Sequence, residues 1–329
     1  MKHLLAFLIL AFLSTSTLAA TDEKIAGFKR SGWAETDFSK TSIPLKQFRG
    51  GGPSKDGIPS IDNPVFKPVG EIKNLAAKEP VVGLEINGDA RAYPLQILMW
   101  HEIINDTVGG MPLIVTFCPL CNTAIVFEST VKGKALEFGT TGLLQNSNLV
   151  MYDRQSQSWW MQFTGTAVVG AMLGAELKAL PSRLESFENF KKRFPKGKVL
   201  VPNNRNMRNY GQNPYTKYDT MTFPFLYTGE MPKDIKPMER VVTFRNNGQM
   251  NAYALPLLAK KQTLTVDGIT LGWTAGQTSA LDSSFIAQGR DIGNITVQEN
   301  RNGVMVDIPY EVTFAFVVTA FNPDVKINQ

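Results

Sequence analysis

The chain has 329 residues, 43% of them hydrophobic and 19% charged, which is enough apolar side chain for a sizeable core and excludes a disordered polymer. A net charge of only +5, with no Lys/Arg block long enough to track a phosphate backbone, argues against a nucleic-acid partner. Two cysteines exclude a disulfide-framework fold, and a single apolar run excludes a helical membrane bundle.

That run opens the chain. Met1-Lys2-His3 is a short basic start, Leu4 to Leu13 is apolar throughout, and Ser14 to Ala19 supplies small residues. The layout predicts a secretory signal peptide over 1–19, cleaved after Ala19 with Thr17 at the −3 position. Ten apolar residues fall short of the ~20 that span a bilayer, and no cysteine stands near the junction to carry a lipid. A periplasmic or secreted protein, not an integral membrane protein, is therefore expected.

Residues 20–78 carry turn signals, among them Arg49-Gly50-Gly51-Gly52-Pro53, Asp56-Gly57 and Asp62-Asn63-Pro64. They predict an irregular arm laid over the body. A first lobe is expected over 79–200. Val81 to Ile86 leads into Asn87-Gly88, a strong hairpin dipeptide. Tyr93 to Trp100 fits one or two helical turns. Glu102 to Ile104 and Leu113 to Phe117 read as strands around the turn Asp106-Thr107-Val108-Gly109-Gly110. The clearest helix pattern is Ser182 to Phe194, with Phe187, Phe190 and Phe194 at helical spacing. Residues 201–240, rich in proline, read as a connection to a second lobe over 241–329.

The second lobe repeats the first. Val81-Val82, Asn87-Gly88, Ala92-Tyr93, Leu95 and Leu98 recur as Val241-Val242, Asn247-Gly248, Ala252-Tyr253, Leu255 and Leu258, each 160 residues on. With a two-residue deletion, Thr107-Val108 and Gly110 match Thr265-Val266 and Gly268. The expectation is an α+β, predominantly β fold of two related lobes from an internal duplication. On this alignment Lys260-Lys261-Gln262 stands opposite Trp100-His101-Glu102, and Gly276-Gln277-Thr278-Ser279 opposite Cys118-Pro119-Leu120-Cys121. The lobe does not need His101 or the cysteines to fold, which marks them as functional additions.

After loss of the leader, His101 is the only histidine, and it shares 21 consecutive positions with both cysteines. A turn centred on Gly109-Gly110 makes residue i face residue 219 − i, so Ile104 faces Val115 and His101 faces Cys118, within cross-strand reach. Three chemistries fit. Cys118, Cys121 and His101 form a soft-metal donor set, with copper as the expected ion. The Cys-x-x-Cys pair can cycle between dithiol and disulfide, with His101 lowering a thiol pKa. Or a cysteine is a nucleophile with His101 as base. The plainer reading is a structural disulfide in an envelope binding module with its ligand near Trp159-Trp160. An envelope redox or metal-delivery partner would follow from the first two.

The blocks Ile61-Asp62-Asn63-Pro64, Trp100-His101-Glu102-Ile103-Ile104-Asn105-Asp106, Phe117-Cys118-Pro119-Leu120-Cys121-Asn122-Thr123-Ala124 and Asn146-Ser147-Asn148-Leu149-Val150-Met151-Tyr152-Asp153-Arg154 resemble the bacterial family catalogued as domain of unknown function 3179. The resemblance brings no activity. It implies that Ser147, Asn148, Asp153 and Arg154 belong to a family block around the site. Glu102 and Asp106 are expected to tune or gate it, with Asn105 and Asn122 also in the surrounding pocket. Thr319-Ala320-Phe321-Asn322-Pro323 stands where the family ending carries an aromatic and a His-Pro, so no role for a second histidine carries over.

Overall fold

The computed structural model describes residues 22–329, so the expected signal peptide lies outside the described residues. Among the described residues no helix is long and apolar enough to cross a membrane. The chain is built mainly of short antiparallel strands, as the sequence predicts, with a few seven-residue helices at strand ends.

The first lobe begins with the hairpin Pro80–Ile86 and Asp89–Pro94, turned by Asn87 (φ 51°) and Gly88. The helix Leu95–His101 follows, and then the hairpin Ile103–Val108 and Met111–Cys118, extended by Thr123–Glu128. Ile104 pairs with Val115, the register predicted from the Gly109-Gly110 turn. Gly109 is required there, because a Cβ on it would lie 2.1 Å from the Ile86 carbonyl oxygen of the neighbouring hairpin. Later in the chain, Arg183–Ser186 pairs antiparallel with Pro80–Ile86, and Lys198–Val201 pairs parallel with Asp89–Pro94.

The same order of elements occurs again. Arg240–Asn246, Gln249–Ala254, the helix Leu255–Lys261, Thr263–Val266 and Ile269–Thr274 follow in turn. Tyr310–Phe314 pairs antiparallel with the first of these strands, and Ile327–Asn328 pairs parallel with the second. Both seven-residue helices end on a residue with positive φ, Glu102 at 57° and Gln262 at 59°. The second hairpin is four residues shorter, two in each strand, because Thr263 pairs with Gly272 where Ile103 pairs with Thr116. The position of Cys118 is therefore held by Thr274, and not by Gly276 as a two-residue deletion implies. The bonds Phe117 N–H to Glu102 O and Trp273 N–H to Gln262 O, both 2.8 Å, mark the same point in the two lobes.

Two other expectations change. The helix expected from Ser182 starts only at Phe187, because Arg183–Ser186 is recruited as a strand and the Ser186 hydroxyl caps the helix at the Asn189 N–H. Between the lobe strands lies a further sheet, ordered Arg49–Gly50, Phe138–Gln145, Asn148–Asp153, Trp159–Met161 and Ala167–Val169. The arm packs on it through Phe28, Trp33, Phe38 and Phe48, whose rings meet Trp159 edge-on at 5.0–5.3 Å. The main core is continuous across both lobes and includes Val82, Phe117, Val242 and Phe314.

Candidate functional site

Cys118 ends the strand Met111–Cys118, Pro119 and Leu120 make the turn, and Asn122 (φ 54°) feeds the chain into Thr123–Glu128. The turn is closed by Cys121 N–H to Cys118 O and Asn122 N–H to Pro119 O, each 3.2 Å. This is a tight turn between antiparallel strands, so no helix dipole acts on the thiols. Both cysteines are free and fully buried. Ser147, held at φ 63° in the turn between Phe138–Gln145 and Asn148–Asp153, places its carbonyl oxygen 3.5 Å from Cys121 Sγ and 3.8 Å from Cys118 Sγ. Asn148 donates to Cys121 Sγ at 3.5 Å and is itself fixed by Gln162, at 2.9 Å.

The two sulfurs are driven apart electrostatically. Burial pushes the Cys118 thiol up. The Cys121 thiol and the N–H groups of Leu149, Cys121 and Leu120 all favour the anion at Cys118 and hold its pKa below the usual thiol range. Burial, with the bond to and charge of Cys118, pushes Cys121 well above that range. One sulfur is thus prepared as a thiolate and the other as its proton-bearing partner. Burial first, and then the Cys118 charge, raises the Glu102 carboxyl to about 8. It is neutral at pH 7 and does not oppose a Cys118 thiolate.

His101 does not join this group. It belongs to the helix and not to the strand that follows, so the cross-strand count fails at Glu102, where the positive φ turns the chain. Its Nδ1 lies 2.8 Å from the Pro59 carbonyl and its Nε2 lies 2.8 Å from the Tyr210 hydroxyl. With the carbonyl accepting from Nδ1–H, Nε2 accepts from Tyr210. The three-ligand set expected for copper is therefore not assembled. Among the described residues no group of three or more His, Cys, Asp or Glu side chains is placed to hold a metal ion.

Of the flanking residues, Glu102, Asn122, Ser147 and Asn148 surround the cysteines. Asn122 reaches the Val312 carbonyl of the second lobe at 3.2 Å. The others lie elsewhere. Asp106 binds Arg91 (2.6 and 2.7 Å) and Tyr93 (2.6 Å). Asn105 and Arg154 meet on Asp62, at 2.7 and 2.6 Å, tying the arm to the body. Asp153 accepts from Trp160 Nε1 at 2.9 Å. Trp159 and Trp160 are both fully buried on opposite sides of their strand, which removes them as a ligand platform.

Sequence reasoning missed the cover over the dithiol. Residues 202–237 form a strap with almost no regular structure. Tyr218 donates to the Leu120 carbonyl at 3.0 Å, and Ser147 Oγ donates to the Phe225 carbonyl. Tyr215 is half-buried, with its hydroxyl within the electrostatic reach of Glu102 and Cys118. Tyr215 and Tyr218 stand among polar turn residues, and their three-residue spacing alone signals nothing. From the other side, Thr313 Oγ1 and Phe314 N–H donate to the Cys121 carbonyl at 3.0 and 3.2 Å.

No curated protein and no solved structure matches the chain. The model of one family does, described as a protein of unknown function (DUF3179), over residues 55–325. That span takes in the His-Glu-Ile and Cys-Pro-Leu-Cys blocks, the strap and nearly all of the second lobe, and the chain belongs to that family.

Proposed function

We propose that the protein is an exported thiol–disulfide oxidoreductase whose working pair is Cys118 and Cys121. The observation that carries this reading is geometric: two free, fully buried cysteines flank one tight turn, with both sulfurs on the Ser147 carbonyl at 3.8 and 3.5 Å and Asn148 donating to Cys121 Sγ. The pull of the surrounding N–H groups toward the Cys118 anion agrees with it. A pair serving only as a staple needs no prepared thiolate, and a bridge across so short a loop restrains the unfolded chain little.

The reaction follows from the assignment. The Cys118 thiolate attacks one sulfur of a partner's disulfide, and the partner's second sulfur leaves as a thiolate and takes up a proton. Cys121 then loses its proton and attacks Cys118 in the mixed disulfide, releasing the first partner sulfur. The partner gains two electrons and two protons, and the pair becomes a disulfide. Access requires the strap to lift, since both sulfurs are buried and the strap is bonded to their turn through Tyr218 and to Ser147 through Phe225. The partner is then an envelope protein carrying a reducible disulfide.

The test is the pH dependence of Cys118 alkylation by iodoacetamide, read by mass spectrometry, followed by equilibration in glutathione redox buffers. The rate should reach half its maximum below the free-thiol value of about 8.5, and oxidised glutathione should give a chain about two daltons lighter. A midpoint above that value, or a pair that stays reduced at every glutathione ratio, would refute the assignment.

A further inference from the structure

The second lobe holds a cleft of about 640 Å³, away from the dithiol, that the proposed redox chemistry does not use. Trp273, Leu255, Pro256 and Met238 give it apolar walls, and Arg240 and Arg290 lie at its base. Arg240 is buried, and Pro80 holds the corresponding place at the head of the first lobe's strand. A buried guanidinium is costly, so the hairpin scaffold alone does not account for it.

Two guanidinium groups share one carboxylate at the base. Asp219 accepts from Arg240 and Arg290, each at 2.8 Å, and from Ser279 at 2.6 Å. Asp282 is shared between Arg290 at 3.4 Å and Lys217 at 3.1 Å. Lys217 and Asp282 lie outside the cleft lining, so Arg240 and Arg290 are the guanidinium groups that face it, both sharing the single Asp219 carboxylate. Asp291 is already engaged by the N–H groups of Gly276, Gln277 and Gly293 and lies 3.8 Å from Lys78. Lys236 and Glu239 also line the cleft, and the Glu239 charge acts on the neighbouring Arg240. Arg240 Nε–H is buried with no acceptor in the protein, and the Arg290 side chain is 41% exposed. An anion can therefore reach a guanidinium without displacing Asp219.

The wall beside it is rigid. Trp273 Nε1 donates to the Ile292 carbonyl at 3.2 Å, and its indole lies so close to Gly293 that a Cβ there would stand 2.1 Å from Nε1. A fixed indole is a stacking surface for a flat apolar body.

We propose that this cleft binds a small organic carboxylate, its charge on Arg290 over Arg240 and its apolar body against Trp273 and Leu255. The volume suits such a ligand, and a few polar groups within apolar walls are how small-molecule sites gain orientation. The test is isothermal titration calorimetry of the full chain with benzoate as probe, and with benzyl alcohol and inorganic phosphate as comparators. Benzoate should bind, benzyl alcohol should bind at least about tenfold more weakly, and Arg290→Gln should weaken benzoate by about tenfold through loss of a charge-assisted contact. Equal binding of benzyl alcohol, tighter binding of phosphate than of benzoate, or benzoate affinity unchanged in Arg290→Gln would each overturn the proposal. The wild-type comparison decides the matter even if Arg290→Gln folds poorly.

Discussion

Glu102 does two things with one residue. Its positive φ ends the helix Leu95–His101 and starts the strand that leads to the turn before the cysteines, and its carboxyl lies in the field of Cys118. Gln262 makes the same turn in the second lobe with a neutral amide, so the acid is not needed for the backbone. Burial raises Glu102 from an ordinary 4.5 to about 8 and the second-lobe Glu311 to about 7. In the unfolded chain both lose their protons near pH 4.5, whereas in the folded chain they keep them to higher pH. Between these values the folded state binds more protons at these two carboxyls, so their contribution to stability is greatest at the acid end of this window and falls as pH rises toward 8. The lowered pKa of His101 acts in the opposite sense. Glu102→Gln should flatten that fall and leave the shares due to Glu311, Glu79 and Glu185, as urea midpoints at pH 5 and pH 8 would measure. A variant whose midpoints fall as steeply as the parent's would mean that Glu102 ionises normally.

At the scale of elements, the proposed thiol chemistry makes the strap 202–237 the barrier to the dithiol. It is pinned at separate points: Tyr210 on His101, Asn213 on the Ser283 carbonyl at 3.0 Å, Tyr218 on Leu120, and Asp219 in the ion cluster. The histidine that the sequence suggests as a ligand is thus a clasp for the strap. Removing the Tyr210 hydroxyl in Tyr210→Phe leaves His101 Nε2 without its donor at a cost of about 1 kcal/mol, or roughly a fivefold rise in the open strap. Native-state alkylation of Cys118 should accelerate by about that factor, while the global unfolding midpoint moves little. Identical alkylation rates in the two proteins would show that the clasp does not control access. The sequence made the strands around the strap legible because hairpin register is counted from a turn, as Ile104 facing Val115 shows. The direction of His101 was not legible, since a helix end follows no strand alternation. Nor was the cover, because Tyr215 and Tyr218 sit in a segment without periodicity, held by contacts to residues far away in the chain.

At the scale of the whole molecule, the cysteine turn belongs to the first lobe by sequence but is completed by the second. Thr313 and Phe314 donate to the Cys121 carbonyl and Val312 accepts from the Asn122 side chain, and the same strand pairs with Arg240–Asn246 at the heart of the second lobe. Phe314 is fully buried, packs in the common core and lies 6.1 Å from the Tyr218 ring, so it joins strap, turn and second lobe in one cluster. The repetition of elements suggests two units that unfold separately, whereas the shared core argues for one. The interface decides between them, because neither lobe can bury its half of this cluster alone. Phe314→Ala should therefore lower the stability of the entire chain by about 3–5 kcal/mol. Circular dichroism and tryptophan fluorescence should still report one coincident transition. Cys118 should also become more reactive toward iodoacetamide, because the strap loses the ring beneath Tyr218. Two separated transitions, only one of them shifted by the substitution, would show that the lobes are independent and that the dithiol is a property of the first alone.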